Sequence, residues 1–189
     1  MTKDFILASG SLQRQALLAQ IHYEPKLVEP ADIDETPLRG EKPSAYVKRM
    51  AREKALHVAQ RHPGEVVLSG DTVVVCGSRI LQKADNEAEQ EKVMRLLSGR
   101  THRVLSAVCA VDRQGKPVVR LNVTRVKMKK LSEGELKAYL AGGEWKGCSG
   151  YKIEGELAGY VQQMTGSYSG VVGLPLYETK QLLNGIGIR

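Results

Sequence analysis

Hydrophobic and polar positions alternate between two periods along this chain. Leu12–Gln20, with Leu17 and Leu18 as inward contacts, reads as a helix. Ser44–His62 is the clearest helix: Val47, Met50, Ala51, Ala55 and Val58 recur at helical spacing, and Pro63-Gly64 stops it. A third helix, capped by Asp85 or Asn86, carries Val93, Leu96 and Leu97 and ends at Ser98-Gly99. Ser132-Glu133-Gly134-Glu135 has capping-box spacing and opens a fourth, which runs to Ala141. A last helix follows Pro175, a residue suited to its first position.

Between the helices lie short β-branched runs. Phe5–Ala8 reads as a strand, and Val66–Val75 as a buried one. His102–Val111 and Pro117–Met128, joined at Arg113-Gln114-Gly115-Lys116, read as a hairpin. The second strand alternates Val119, Leu121, Val123 and then shifts to Val126, Met128, which predicts a bulge near Thr124-Arg125. Its polar side chains, Arg120, Arg125, Lys127 and Lys129, are assigned to the other face. Tyr160–Met164 reads as a strand and Gly166–Gly170 as a turn. The fold class expected is α/β, a long mixed sheet flanked by helices.

The 189 residues suit one α/β domain or two small lobes. At 42% hydrophobic and 26% charged, composition is that of an ordinary core-forming protein. No apolar run reaches membrane-spanning length and no leader precedes the first strand, so a cytoplasmic protein is expected. Cys76, Cys109 and Cys148 are too widely spaced for a zinc site or a disulfide framework. The net charge of +7 favours a polyanionic ligand, nucleic acid or free nucleotide. Without interleaved aromatics, the basic hairpin face is a poor nucleic-acid platform.

Five features do not fit a plain scaffold. Asp71 sits inside an apolar strand, where an ionised carboxylate needs a partner. The alternative is a strand that ends at Leu68 and a solvated turn. Lys54 lies within the apolar stripe of its helix, either snorkelling out or reaching a buried anion. Arg14 stands in the first turn of a helix that follows Ser9-Gly10-Ser11, opposing the dipole unless an anion binds there. The Val28–Pro43 loop gathers Glu29, Asp32, Asp34 and Glu35, a set that can hold a hard cation or simply face solvent. Lys83 adds a cation at a strand-to-helix junction.

In this order the pieces resemble the Maf family of nucleoside-triphosphate pyrophosphatases. The motifs are Leu7-Ala8-Ser9-Gly10-Ser11 through Arg14 and Leu17-Leu18; Arg52-Glu53-Lys54-Ala55; Gly70-Asp71-Thr72-Val73-Val74; Leu96-Leu97-Ser98-Gly99-Arg100-Thr101-His102; and Gly166-Ser167-Tyr168 through Val172-Gly173-Leu174-Pro175-Leu176. The resemblance runs nearly end to end and implies a single Maf-like domain over residues 1–189, with two lobes, a central cleft and a homodimeric assembly. It implies a cytoplasmic hydrolase that cuts between α- and β-phosphates with a divalent metal, Mg²⁺ or Mn²⁺. Nucleotide-pool cleaning and a link to division arrest come with the family. Asp71 matches the catalytic proton acceptor, Ser9, Arg14, Lys54 and Lys83 match phosphate contacts, and Glu35 with Asp71 matches the metal side.

The chain departs from the family pattern at four places, and the first and last of them are tied to base choice in the family. Leu12-Gln13-Arg14 replaces Pro-Arg-Arg, Lys83-Ala84 replaces Lys-Pro, and the Trp145–Gly150 loop is one residue short and lacks the lysine of the family's Lys-Ala-Gly before Tyr151. Thr72 resembles the subgroup acting on dTTP and UTP, whereas Glu154, in place of glutamine, resembles the one acting on 7-methyl-GTP. Gln13 belongs to neither, so the base stays open. The reading from another class is a non-catalytic protein that binds nucleic acid or a division partner.

Overall fold

Apolar β-branched runs pair into one mixed sheet of seven strands; the computed structural model describes residues 2–189. The strands are β1 (Thr2–Leu7), β2 (Glu24–Val28), β3 (Val67–Cys76), β4 (Arg79–Leu81), β5 (Thr101–Val111), β6 (Pro117–Met128) and β7 (Val161–Thr165). The helices are α1 (Leu12–Gln20), α2 (Pro43–Ala59), α3 (Glu87–Leu97), α4 (Glu133–Gly142), α5 (Tyr168–Val172) and α6 (Leu176–Gly185). The sheet order is β2-β1-β3-β5-β6-β7, with β4 also on β3. β1 runs parallel to β2 and β3, and the remaining pairs are antiparallel.

β3 contributes to all three hydrophobic clusters. Its side chains alternate, as any strand's must. Val67, Val73 and Val75 face α2 with its buried Val47, Met50, Ala51 and Val58. Leu68 faces the cluster around Leu17, Leu18 and Leu183, and Val74 joins a third around Met94, Tyr139 and Trp145. The strand therefore does not end at Leu68, and Asp71 lies within it, on the α2 face.

The other elements follow local chemistry. Ser11 caps α1 by accepting from the Arg14 amide, Asn86 caps α3, and Ser132 with Glu135 completes the capping box of α4. Gly143 closes α4 in the left-handed conformation.

Several expectations are corrected. The hairpin has no bulge at Thr124-Arg125: β5 and β6 stay in register from Thr101 opposite Lys127 to Val111 opposite Pro117. The shift in polarity arises because β6 serves two cores from opposite faces. Val119 and Leu121 pack against the α2 cluster, whereas Val126 and Met128 lie in the third cluster. Arg120 accordingly sits on the opposite face from Arg125 and Lys127, so the basic residues do not form one stripe. The Gly166–Gly170 turn is the start of α5, capped by Ser167, and Pro175 occupies the cap of α6 rather than its first turn. β2 was not foreseen: its apolar content is slight and it leans on the sheet edge.

His102, on β5, is buried in the third cluster, and that burial pulls its pKa down from 6.5 to about 4. Between those values the unfolded chain holds more protons than the folded one, so stability is full above about pH 6.5 and falls towards pH 4. The shift corresponds to about 3 kcal/mol. We expect melting temperature to fall over this window, and less steeply in His102→Gln; equal slopes would exclude His102 as the cause.

Candidate active site

A gap in the strand pairing creates the site. β1 accompanies β3 only to Leu68, and β4 joins the same edge only at Val74. From Gly70 to Thr72 that edge of β3 has no neighbouring strand, although the opposite edge is paired with β5 throughout. A cleft of about 770 Å³ opens there. Ser9, Gln13, Arg14, Glu35, Lys54, Asp71, Thr72, Lys83 and Glu154 all line it. Residues from six separate stretches of chain thus meet on one surface.

On the α2 side, the buried Lys54 ammonium lies 2.8 Å from Asp71 Oδ1 and 3.0 Å from Glu35 Oε1. Lys54 therefore does not snorkel out. The Tyr46 hydroxyl donates to the Glu35 carbonyl at 2.8 Å, which pins this part of the acidic loop to α2. Burial raises the Asp71 carboxyl above its ordinary value, while Lys54 and Arg14 pull it back and Glu35 adds to the rise. Burial, aided by Asp71 and Glu35, also pushes the Tyr46 phenol up to about 12. Asp32 and Asp34 do not line the cleft; Asp34 instead accepts from the Thr36 amide, and Glu29 pairs with Arg61 and His62.

On the other face, Arg14 folds back over β3. Its Nε donates to the Gly173 carbonyl at 2.9 Å and Nη1 to Ser9 Oγ at 2.9 Å. Gly70 makes room for this: a Cβ there would meet Leu174 at 3.2 Å and Arg14 Nε at 3.4 Å. The guanidinium of Arg14 is thus fixed by the protein with its charge facing the cleft. Thr72 Oγ1 pairs with Ser106 Oγ at 2.8 Å and donates to the Gly173 carbonyl at 3.2 Å. Gln13 accepts from Ser11 Oγ through Oε1 at 3.2 Å.

The far wall is the loop between α4 and a short 3₁₀ turn at Glu156–Tyr160. An isolated antiparallel bridge ties Ser149 to Lys83. The Cys148 thiol feels the charges of Lys152, Glu154 and Lys83, so these groups converge. Lys146 and Lys152 also line the cleft and were not singled out beforehand, because nothing in the local pattern marks a loop lysine as inward. A second cavity, about 420 Å³ between α3 and α4, contains none of the anticipated residues.

The donor set fits a hard divalent cation. Two carboxylates, Glu35 and Asp71, reach the same ammonium and so lie close together on one side of the cleft. Among the described residues no cluster of three or more ligating side chains occurs. Such a site suits Mg²⁺ or Mn²⁺, which take one or two carboxylates and complete their shell with waters and substrate phosphates.

Fold and cleft together describe a protein built to hold a phosphorylated small molecule against a buried acid. The chain belongs to the Maf-like protein family, whose match spans residues 4–186. It is 51% identical over 183 residues to a dTTP/UTP pyrophosphatase of Paramagnetospirillum magneticum, covering 96% of each chain. It is 49% identical over 185 residues to a dTTP/UTP pyrophosphatase of Caulobacter vibrioides, covering 97% of this chain and 96% of that one. Among solved structures, a HAM1 protein from Coxiella burnetii shares the fold, with TM-score 0.55 and 17% identity over 96% of this chain and 98% of that one. No helix among the described residues is long and apolar enough to cross a membrane.

Proposed function

We propose that this protein is a nucleoside triphosphate pyrophosphatase acting on dTTP and UTP, releasing the monophosphate and pyrophosphate. The observation that carries the reading is Lys54 held between Asp71 and Glu35 in a cleft also lined by Arg14 and Lys83. A binding module gains nothing from burying an acid among cations, while phosphoanhydride hydrolysis requires both.

Water attacks the α-phosphorus, a new P–O bond forms, and the bond to the bridging oxygen breaks as pyrophosphate leaves. Asp71 orients this water and takes its proton. Arg14, Lys54 and Lys83 offset the charge of the triphosphate, and Ser9, whose hydroxyl accepts from Arg14, can donate to a phosphate oxygen. Glu35 and Asp71 would hold the divalent cation, which when bound polarises phosphate oxygens and lowers the pKa of water. In this reading residues 1–189 act as one domain, in the cytoplasm and as a homodimer, a part that rests on the family resemblance.

The names of the relatives and the hydroxyl of Thr72 support the pyrimidine choice. A carboxylate at 154 accepts the N3–H of thymine or uracil as well as the donors of a guanine edge. A pyrophosphate-release assay with Mg²⁺ or Mn²⁺ over dTTP, UTP, GTP and 7-methyl-GTP decides. We expect dTTP and UTP to turn over fastest; preference for 7-methyl-GTP would reverse the base assignment, and no release from any nucleotide would end the reading.

A further inference from the structure

Loops that border a cleft are ordinarily its loosest part. Here the wall carrying Lys152 and Glu154 is tied down from behind by two side chains that do not line the cleft, Gln90 and His102. Gln90, on α3, is fully buried and donates Nε2 to the Gly150 carbonyl at 2.6 Å. His102 meets the Tyr151 hydroxyl through Nε2 at 2.6 Å, with the rings edge to face at 5.4 Å. Nδ1 of His102 has no partner among the described residues. The arrangement that strands fewest buried groups has the Tyr151 hydroxyl donating to Nε2.

Two consecutive residues are thus gripped, one by its main chain and one by its side chain. The bridge from Lys83 to Ser149 holds a third. Gly150 permits the close seating: its φ is +79°, and a Cβ would stand 2.9 Å from Val74 Cγ2. The loop is therefore fastened to α3, β5 and the Lys83 segment in the middle of the stretch that lines the cleft.

We propose that Gln90 and His102 are positioning residues: they fix the Ser149–Tyr151 segment and so set where Lys152 and Glu154 meet a bound nucleotide. This rests on the nucleotide reading above. Gln90 and His102 touch neither substrate nor reacting atoms, so their loss should loosen binding and blur base choice more than it slows chemistry.

The test compares Tyr151→Phe and Gln90→Leu with the unaltered protein. Tyr151→Phe keeps the buried ring and removes only the hydroxyl. We expect KM for dTTP to rise about tenfold with kcat within about twofold. Preference for dTTP over GTP should fall. In the nucleotide-free protein, amide exchange over 145–154 should quicken, and emission from Trp145, the chain's one tryptophan, should shift to the red. A lowered melting temperature with KM, preference and loop exchange all unchanged would overturn the proposal, because a purely structural role predicts that. If the unaltered protein releases pyrophosphate from no nucleotide, the functional reading fails separately. Loop exchange then still decides the tether: faster exchange in both variants supports it, and unchanged exchange overturns it.

Discussion

Replacing Asp71 by asparagine is expected to lower kcat about a thousandfold, the range a positioned proton acceptor contributes. Asparagine keeps the shape and an oxygen that can accept from Lys54, so the lost quantity is basicity rather than packing. The sign of the stability change is equally specific. Burial raises the folded-state pKa of Asp71, so its contribution to stability is present below the unfolded pKa and lost as pH rises through the folded one. At neutral pH the ionised carboxylate is therefore a burden that asparagine removes. Melting temperature should hold or rise while pyrophosphate release at saturating nucleotide collapses. Unchanged turnover would take Asp71 out of the mechanism.

Lys54→Met should produce the opposite pairing of effects, a loss of both stability and activity. Methionine fits the volume but leaves Asp71 without its closest cation, and breaking a buried ion pair on one side is destabilising by about 3–5 kcal/mol. For a chain of this size that is a fall in melting temperature of about 10 °C. The double variant Lys54→Met with Asp71→Asn separates pair from packing. If the unpaired charge is the cause, the double variant should melt well above the single Lys54→Met variant. Equal melting temperatures would place the loss in packing around the aliphatic stem.

Much of the scaffold was legible because period and capping are local. The α2 stripe, the hairpin and the Ser132–Glu135 box depend on neighbours a few residues away. So did the oddity of Asp71 and Lys54, each a charge set among apolar residues, although their partnership was visible only through the family likeness. What the pattern misread was non-local. β6 looks out of phase because one half of the strand covers one core and the other half another, on opposite faces. β2 is polar because its place is at the sheet edge, next to β1 alone. Tyr168–Val172 has too many small residues to announce a helix, and folds into one where Ser167 caps it. The inward direction of Lys152 follows, in the proposal above, from contacts of Gln90 and His102 with Gly150 and Tyr151, about 50 positions or more along the chain.

The unbroken ladder behind the cleft has a mechanical consequence. Nine successive residues of β3 are matched to β5, and β5 is matched to β6 along its whole length. A base knit that continuously does not bend to admit a guest. Entry and exit are left to the open mouth between the Ser9–Gln13 turn and the tethered loop, while the acid at the bottom keeps its place from one turnover to the next.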